Sequence, residues 1–196
     1  MKHDIQPGIK GLIFDLDGTL ADTMPYHFKA WENALKKYGA EIKTEYLQKY
    51  AGSPSLTIAN KIVKDLNLDR IVKANQLLND KSSEFLKFQL LIRPIAPVIE
   101  IVKKYYGVLP LAIGTGGRRE IVECIMKITD LRKYFDIIVT ANDISNFKPH
   151  PETFLKCSEL MNVSPSHIEV FEDTEFGLEA ARHAGMIATD VRMWYE

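Results

Sequence analysis

Between Gly11 and Phe14 the chain carries an unbroken apolar run that stops abruptly at Asp15. A short continuous run of this kind suits a strand covered on both faces. From residue 23 the apolar positions fall instead at helical spacing. Thr23-Met24-Pro25 reads as a helix start, a capping hydroxyl followed by proline in the first turn. Phe28, Trp31 and Leu35 follow on one face with Ala34 beside them, and Gly39 offers a stop. Leu56, Ala59, Ile62, Val63 and Leu66 mark a second helix, and Ile71, Ala74, Leu77, Leu78, Phe85 and Phe88 mark one or two more. Residues 23 to about 90 therefore predict an all-helical segment with no strand-like run.

Beyond Pro94 and Pro97 helices and strands alternate. A helix over 97–106 carries Val98, Ile101 and Val102, and the strand Val108–Ile113 ends in Gly114-Thr115-Gly116-Gly117. A helix with Ile121, Ile125 and Ile128 precedes the strand Ile137–Ala141. Phe154, Leu155 and Leu160 lie on a helix with Pro151 in its first turn, and the strand Ile168–Phe171 runs into Glu172-Asp173. Leu178, Ala181 and Ala184 mark a helix that stops at Gly185, and Met186–Val191 is a short last strand. This order predicts an α/β fold, a Rossmann-like parallel sheet covered by helices on both faces. Residues 1–22 and 91–196 form the core domain on this reading, and 23–90 form an inserted all-helical cap domain over the carboxyl end of the first strand.

Composition narrows the function. With 196 residues, 46% of them hydrophobic, the chain is long enough for one large domain or one domain with an insertion. The formal net charge of -1 carries no basic surplus for nucleic acid, while a small anionic metabolite can still be bound by local charge. Cys124 and Cys157 lack metal-type spacing and read as reduced thiols. The amino-terminal residues contain no long apolar stretch, so no signal peptide is expected, and no segment reaches the roughly 20 apolar residues of a membrane span. A cytoplasmic monomer is the expectation.

Candidate chemistry lies where the strands end. Asp15 and Asp17 stand one residue apart before Gly18-Thr19. Carboxylates this close repel, so a divalent cation, a shared proton or a basic partner must offset them. Thr115 ends the second strand, Lys148-Pro149 follows the third, and Glu172 and Asp173 end the fourth. A parallel sheet brings all these ends to one edge. There Asp173, Asp15 and a backbone carbonyl near Asp17 would make a hard-oxygen site for Mg2+. Lys148 would neutralise a phosphoryl oxygen or steady Asp15, and Thr115 with amides of the Gly114–Gly117 turn would donate to the same group. Singly, each has a plainer reading: a turn hydroxyl, a solvated lysine, a helix cap. Their joint occurrence at successive strand ends points to a site.

Asp15-Leu-Asp17-Gly18-Thr19, Thr115, Lys148-Pro149 and Glu172-Asp173, in this order, resemble the four motifs of the haloacid dehalogenase superfamily. The helical insert and the stretch Asp22-Thr23-Met24-Pro25-Tyr26-His27 resemble the β-phosphoglucomutase-like subgroup. Within it, Ala51-Gly52-Ser53-Pro54-Ser55, Gly114-Thr115-Gly116 and Val170-Phe171-Glu172-Asp173 look most like bacterial fructose-1-phosphate phosphatases. The resemblance implies a Mg2+-dependent phosphatase acting on a small phosphorylated metabolite, with neither nucleic acid nor membrane as partner. It makes Asp15 the nucleophile and Asp17 the acid and then base, with Thr115 and Lys148 completing the catalytic set. It assigns the metal to Asp15, Asp17, Glu172 and Asp173, and substrate contacts to His27 and Lys81. From the residues themselves, the Gly116 amide lies in the phosphate-facing turn, and Arg118 and Arg119 after it either meet an anionic substrate or simply face water at the helix start. Without the resemblance, His27 is a partly buried helical histidine and Lys81 a solvated lysine, while His150, His167 and His183 are structural or surface residues. The nearest rival is a phosphohexomutase, which carries a cap-loop arginine for a second phosphate; around Gly52–Leu56 this chain has none, and Ser55 stands there. A phosphate-accepting receiver domain needs no helical insert, and a dehalogenase has no use for Asp17 or magnesium.

Overall fold

The expected central strand forms. β1 (Gly11–Phe14) is buried along its whole length. In the computed structural model, which describes residues 4–50 and 52–194, it lies in the middle of a five-stranded parallel sheet. Residues 1–3, the start of the segment read as lacking a leader, and Ala51 of the cap-loop motif lie outside the described residues. The other strands are β2 (Leu111–Gly114), β3 (Ile137–Val139), β4 (Ile168–Glu172) and β5 (Ile187–Asp190), in the order β3-β2-β1-β4-β5. β1 pairs with β2 through Leu12↔Leu111 and with β4 through Gly11↔Ile168.

Alternation along the strands divides the core in two. Leu12 and Phe14 face a cluster built with Val98 and Val102 of α5 (Ala96–Tyr105) and Val122 and Ile125 of α6 (Arg119–Ile128). Ile13 and Val170 face Phe154 and Cys157 of α7 (Glu152–Met161) and Ala180 and Ala181 of α8 (Glu175–His183). The helices between β1 and α5 are α1 (Met24–Lys36), α2 (Thr44–Gln48), α3 (Ser55–Asp65) and α4 (Ala74–Leu86). They share a separate cluster that includes Trp31, Leu35, Leu47, Ile62 and Leu77. The chain leaves and re-enters the sheet region side by side: the Asp22 amide donates to Arg93 O at 2.9 Å and the Ile95 amide to Leu20 O at 3.0 Å. No helix among the described residues is long and apolar enough to cross a membrane.

Several local expectations change. The second strand begins at Leu111 rather than Val108, because the amides of Val108 and Leu109 turn back to Tyr105 O and Pro110 has none to give. The third ends at Val139, where the Thr140 amide leaves the ladder for Asp143 at 2.8 Å and that of Ala141 for Gly117 O. Thr23 begins α1 without capping it through its side chain. Ile71 is exposed in the turn before α4, and α7 buries Phe154, Cys157 and Met161 while Leu155 and Leu160 face outward. The five-residue α2 was not anticipated; only Leu47 in it is buried, which leaves no periodic signal.

Candidate active site

The Asp15 amide donates to Phe171 O at 3.0 Å, which fixes the acid where the chain leaves the sheet. The chain then coils tightly, with the Leu20 and Ala21 amides both returning to Leu16 O at 3.0 Å. Gly18 turns at φ +83°, and a side chain there would run into the carboxylate of Asp173, so conformation and close approach both require glycine. The Asp15 loop and the end of β4 are thereby held against each other.

Lys148 ties the first acid to the last strand. Its Nζ donates to Asp15 Oδ1 at 2.6 Å and to Glu172 Oε2 at 2.7 Å, all three side chains being buried. Burial opposes the ammonium charge, but the two carboxylates outweigh it and raise its pKa. The other Glu172 oxygen accepts from the Asp173 amide at 3.0 Å, and from the amide and hydroxyl of Thr174, each at 2.9 Å. Asp173 Oδ1 accepts from the Thr19 hydroxyl at 3.1 Å. Burial, then repulsion from Glu172, pushes Asp15 up to about 8 against the opposing pull of Lys148. Burial and the charges of Glu172 and Asp15 likewise raise Asp173 well above the usual carboxylate range. Carboxylate oxygens of Asp15, Glu172 and Asp173 lie within 4.8 Å of one another. With one lysine among three acids, the cluster holds surplus negative charge on hard oxygen donors.

Asp17 belongs to a second, neighbouring set. Its Oδ1 accepts from the Thr23 hydroxyl at 2.7 Å and from His27 Nε2 at 2.9 Å. Lys81 Nζ lies 2.7 Å from His27 Nδ1. An ammonium on one side and a carboxylate on the other fix a neutral ring protonated at Nε2. Burial and the Lys81 charge lower the His27 pKa, in keeping with that form. The ring stacks on Phe85 at 4.1 Å between centroids. Burial alone would raise Asp17, but His27, Thr23 and Lys81 outweigh it and bring its pKa to about 2. Burial takes Lys81 down to about 8.

Both sets open on one cleft, with Asp15, Lys148 and Glu172 on the sheet side and His27 and Lys81 on the helical side. Thr115 lines it too, its amide fixed by Val139 O and its hydroxyl accepting from the Gly117 amide at 3.0 Å. Gly116 and Arg118 also line it. Arg118 pairs with Glu120 at 3.0 Å and donates to Asn79 of α4 at 3.2 Å. The Asp17 side chain is turned toward Thr23 and His27, apart from the three-carboxylate cluster. Lys81, read from composition as solvated, is buried. Its place four residues after Leu77 and four before Phe85 puts it on their apolar face, a signal the sequence carries. Thr19, Thr23 and Thr174 went unrecognised as carboxylate partners. Only Thr23 had a local cue, and that cue pointed to a cap.

A doubly covered parallel sheet, acids and a lysine at its carboxyl edge and a helical insert above them define the haloacid dehalogenase-like hydrolases. The chain belongs to this family, whose model matches residues 12–191. It is 40% identical over 185 residues to "Fructose-1-phosphate phosphatase YqaB" of Escherichia coli (strain K12), covering 93% of this chain and 96% of that one. It is 31% identical over 180 residues to "Phosphorylated carbohydrates phosphatase" of Thermotoga maritima, covering 91% and 82%. The β-phosphoglucomutase crystal structure from Clostridium difficile superposes with a TM-score of 0.78 over 93% of this chain and 84% of that one; at 24% identity this speaks to the fold alone. The chain is a HAD-like phosphomonoester hydrolase.

Proposed function

We propose that this protein hydrolyses small sugar phosphates, fructose 1-phosphate among them, through a phosphoaspartate on Asp15, with Mg2+ as cofactor. The observation that carries the reading is the pairing of Asp15, held by Lys148, with a separately oriented Asp17 across one cleft. With Oδ1 engaged by Lys148, Oδ2 of Asp15 is the atom to meet phosphorus. As the Asp15–phosphorus bond forms, the bond to the sugar oxygen breaks and Asp17 protonates that oxygen. Water then attacks phosphorus, gives its proton to Asp17 and releases phosphate from Asp15. Asp17 rests ionised; the arriving phosphate dianion raises its pKa so that it takes up a proton from solvent before the first transfer, and the attacking water restores that proton in the second. Lys148, Thr115 and the turn amides beside it hold the phosphoryl oxygens. His27 and Lys81 are positioning residues that keep Asp17 aimed.

The buried, charge-surplus cluster of hard oxygens fits Mg2+. Asp15 and Asp173 would hold it, with Glu172 anchoring Lys148 and the Asp173 loop. When bound, the ion supplies positive charge that offsets the acids and the phosphoryl oxygens.

The same reading takes residues 23–90 as a cap that excludes water and reads the sugar, in a monomer working in the cytoplasm. Among the described residues the helical insert lends no arginine to the cleft; Ser53 and Ser55 stand there instead, which favours hydrolysis over transfer between two phosphate positions. The test is a panel of hexose phosphates with Mg2+, following free phosphate against isomerised sugar phosphate. Phosphate release with fructose 1-phosphate is expected; isomer without phosphate would overturn the reading.

A further inference from the structure

A second hollow opens beside the catalytic cleft. It shares Ser55, Leu78, Gly116 and Arg118 with that cleft, so the two spaces adjoin along this stretch. The Arg118–Asn79 hydrogen bond, at 3.2 Å, runs from this shared stretch into the hollow.

The lining of the hollow specifies its ligand. Asn75 and Asn79 stand four residues apart on α4, so both amides face the same side. Asn142 and Phe147, from the loop after β3, also line it, with Asn142 Oδ1 accepting from the Arg119 amide at 3.0 Å and its NH2 left to donate. An amide donates and accepts at once, as a hydroxyl does, and so matches neutral polyhydroxy ligands. Phe147 and Leu56 offer apolar surface to the C–H face of a sugar ring. The one charged group among the lining residues is Arg118, already paired with Glu120 at 3.0 Å. A second phosphate would find no uncommitted cation there.

We propose that this groove is a carbohydrate subsite for a second ring of the leaving group. The protein then hydrolyses disaccharide monophosphates as well as hexose phosphates, with the phosphate at Asp15 and the distal ring among Asn75, Asn79 and Phe147. The distal ring exchanges a hydroxyl for the Asn79 amide on Arg118, a replacement of one hydrogen bond by another. The proposal rests on the phosphatase reading above and extends its substrate class.

Glucose 6-phosphate and trehalose 6-phosphate form a matched pair that differs by one glucose ring. The experiment measures kcat/KM for both, with Mg2+, in the wild type and in Asn75→Trp, which fills the groove from the exposed face of α4. In the wild type trehalose 6-phosphate is expected to match or exceed glucose 6-phosphate. In the variant the ratio of the two should fall about tenfold, the equivalent of roughly one net hydrogen bond. An unmoved ratio overturns the proposal. So does turnover of glucose 6-phosphate or fructose 1-phosphate with no measurable turnover of trehalose 6-phosphate, and in that case the phosphatase reading survives. Absence of turnover with all three esters, in a protein whose melting transition is intact, removes the phosphatase reading itself.

Discussion

Lys81 offers the sharpest thermodynamic test of the site. It is buried on the inner face of α4, with Nζ 2.7 Å from His27 Nδ1 and over the rings of Trp31 and Phe85 at 5.7 and 5.2 Å. Among the described residues no carboxylate touches its ammonium; Asp17 acts on it from beyond the histidine. Burial therefore dominates and brings its pKa from the ordinary 10.5 to about 8. Between those two values the unfolded chain binds more protons than the folded one, so the Lys81 contribution to stability rises with pH. At pH 7 the charge is present in both states and its burial is at full cost; by pH 10 most of that cost is relieved, a change of about 2 to 3 kcal/mol. Lys81→Met keeps all but the last atom of the side chain and removes the charge. Its loss of packing and of the histidine contact does not vary with pH over this range, so it cancels when two pH values are compared. Urea melts of the wild type and Lys81→Met at pH 7 and pH 10 should thus show the stability difference moving by about 2 to 3 kcal/mol in favour of the wild type at the higher pH. The variant should also lose activity through kcat, because His27 loses its Nδ1 partner and the ring that aims Asp17 is then held from one side only. Parallel stability changes in the two proteins would mean that Lys81 titrates as an ordinary surface lysine and that the buried relay is misdescribed.

The remaining tests address the carboxylates and their surroundings. Asp15→Asn should lower phosphate release by about a thousandfold or more, and Asp17→Asn should cripple turnover while leaving a phosphoenzyme visible in the intact mass; unchanged activity in either rules out its role. Saturating Mg2+ should raise the melting temperature of the wild type, by about 2.7 kcal/mol of stability at a hundred times Kd, and Asp173→Asn should erase that shift. No response of the wild type to Mg2+ would remove the metal from the proposal. Gly177→Ala places a methyl group on the Glu172 carboxylate, which Lys148 and Thr174 hold in place. A loss of about 1 to 3 kcal/mol is expected in a thermal melt, and an unaltered transition would show that the β4 loop yields freely.

How far the sequence could be read depended on where each signal lies. β1 was legible because a strand covered on both faces must be apolar throughout and its end is marked by Asp15. The edges of β2 and β3 were not, because Val108 and Ala141 are strand-like in type but their amides are claimed by Tyr105 and Gly117. The acids and Lys148 could be found from their order at strand ends. Their division into two sets could not, since it depends on the hydroxyls of Thr19, Thr23 and Thr174 reaching carboxylates distant in sequence or across a turn. Lys81 lay in between: its spacing from Leu77 and Phe85 marked the buried face, but side-chain type argued for solvent.

The arrangement of β1 bears on how the polypeptide emerges from the ribosome. Its sheet neighbours are residues 111–113 and 168–171, all downstream of the helical insert. The insert, with a cluster of its own, can collapse while Leu12, Ile13 and Phe14 still have no ladder on either side. A nascent chain halted near residue 95 would display a sticky, two-edged segment, and chaperone capture of such stalled intermediates should centre on those few amino-terminal residues.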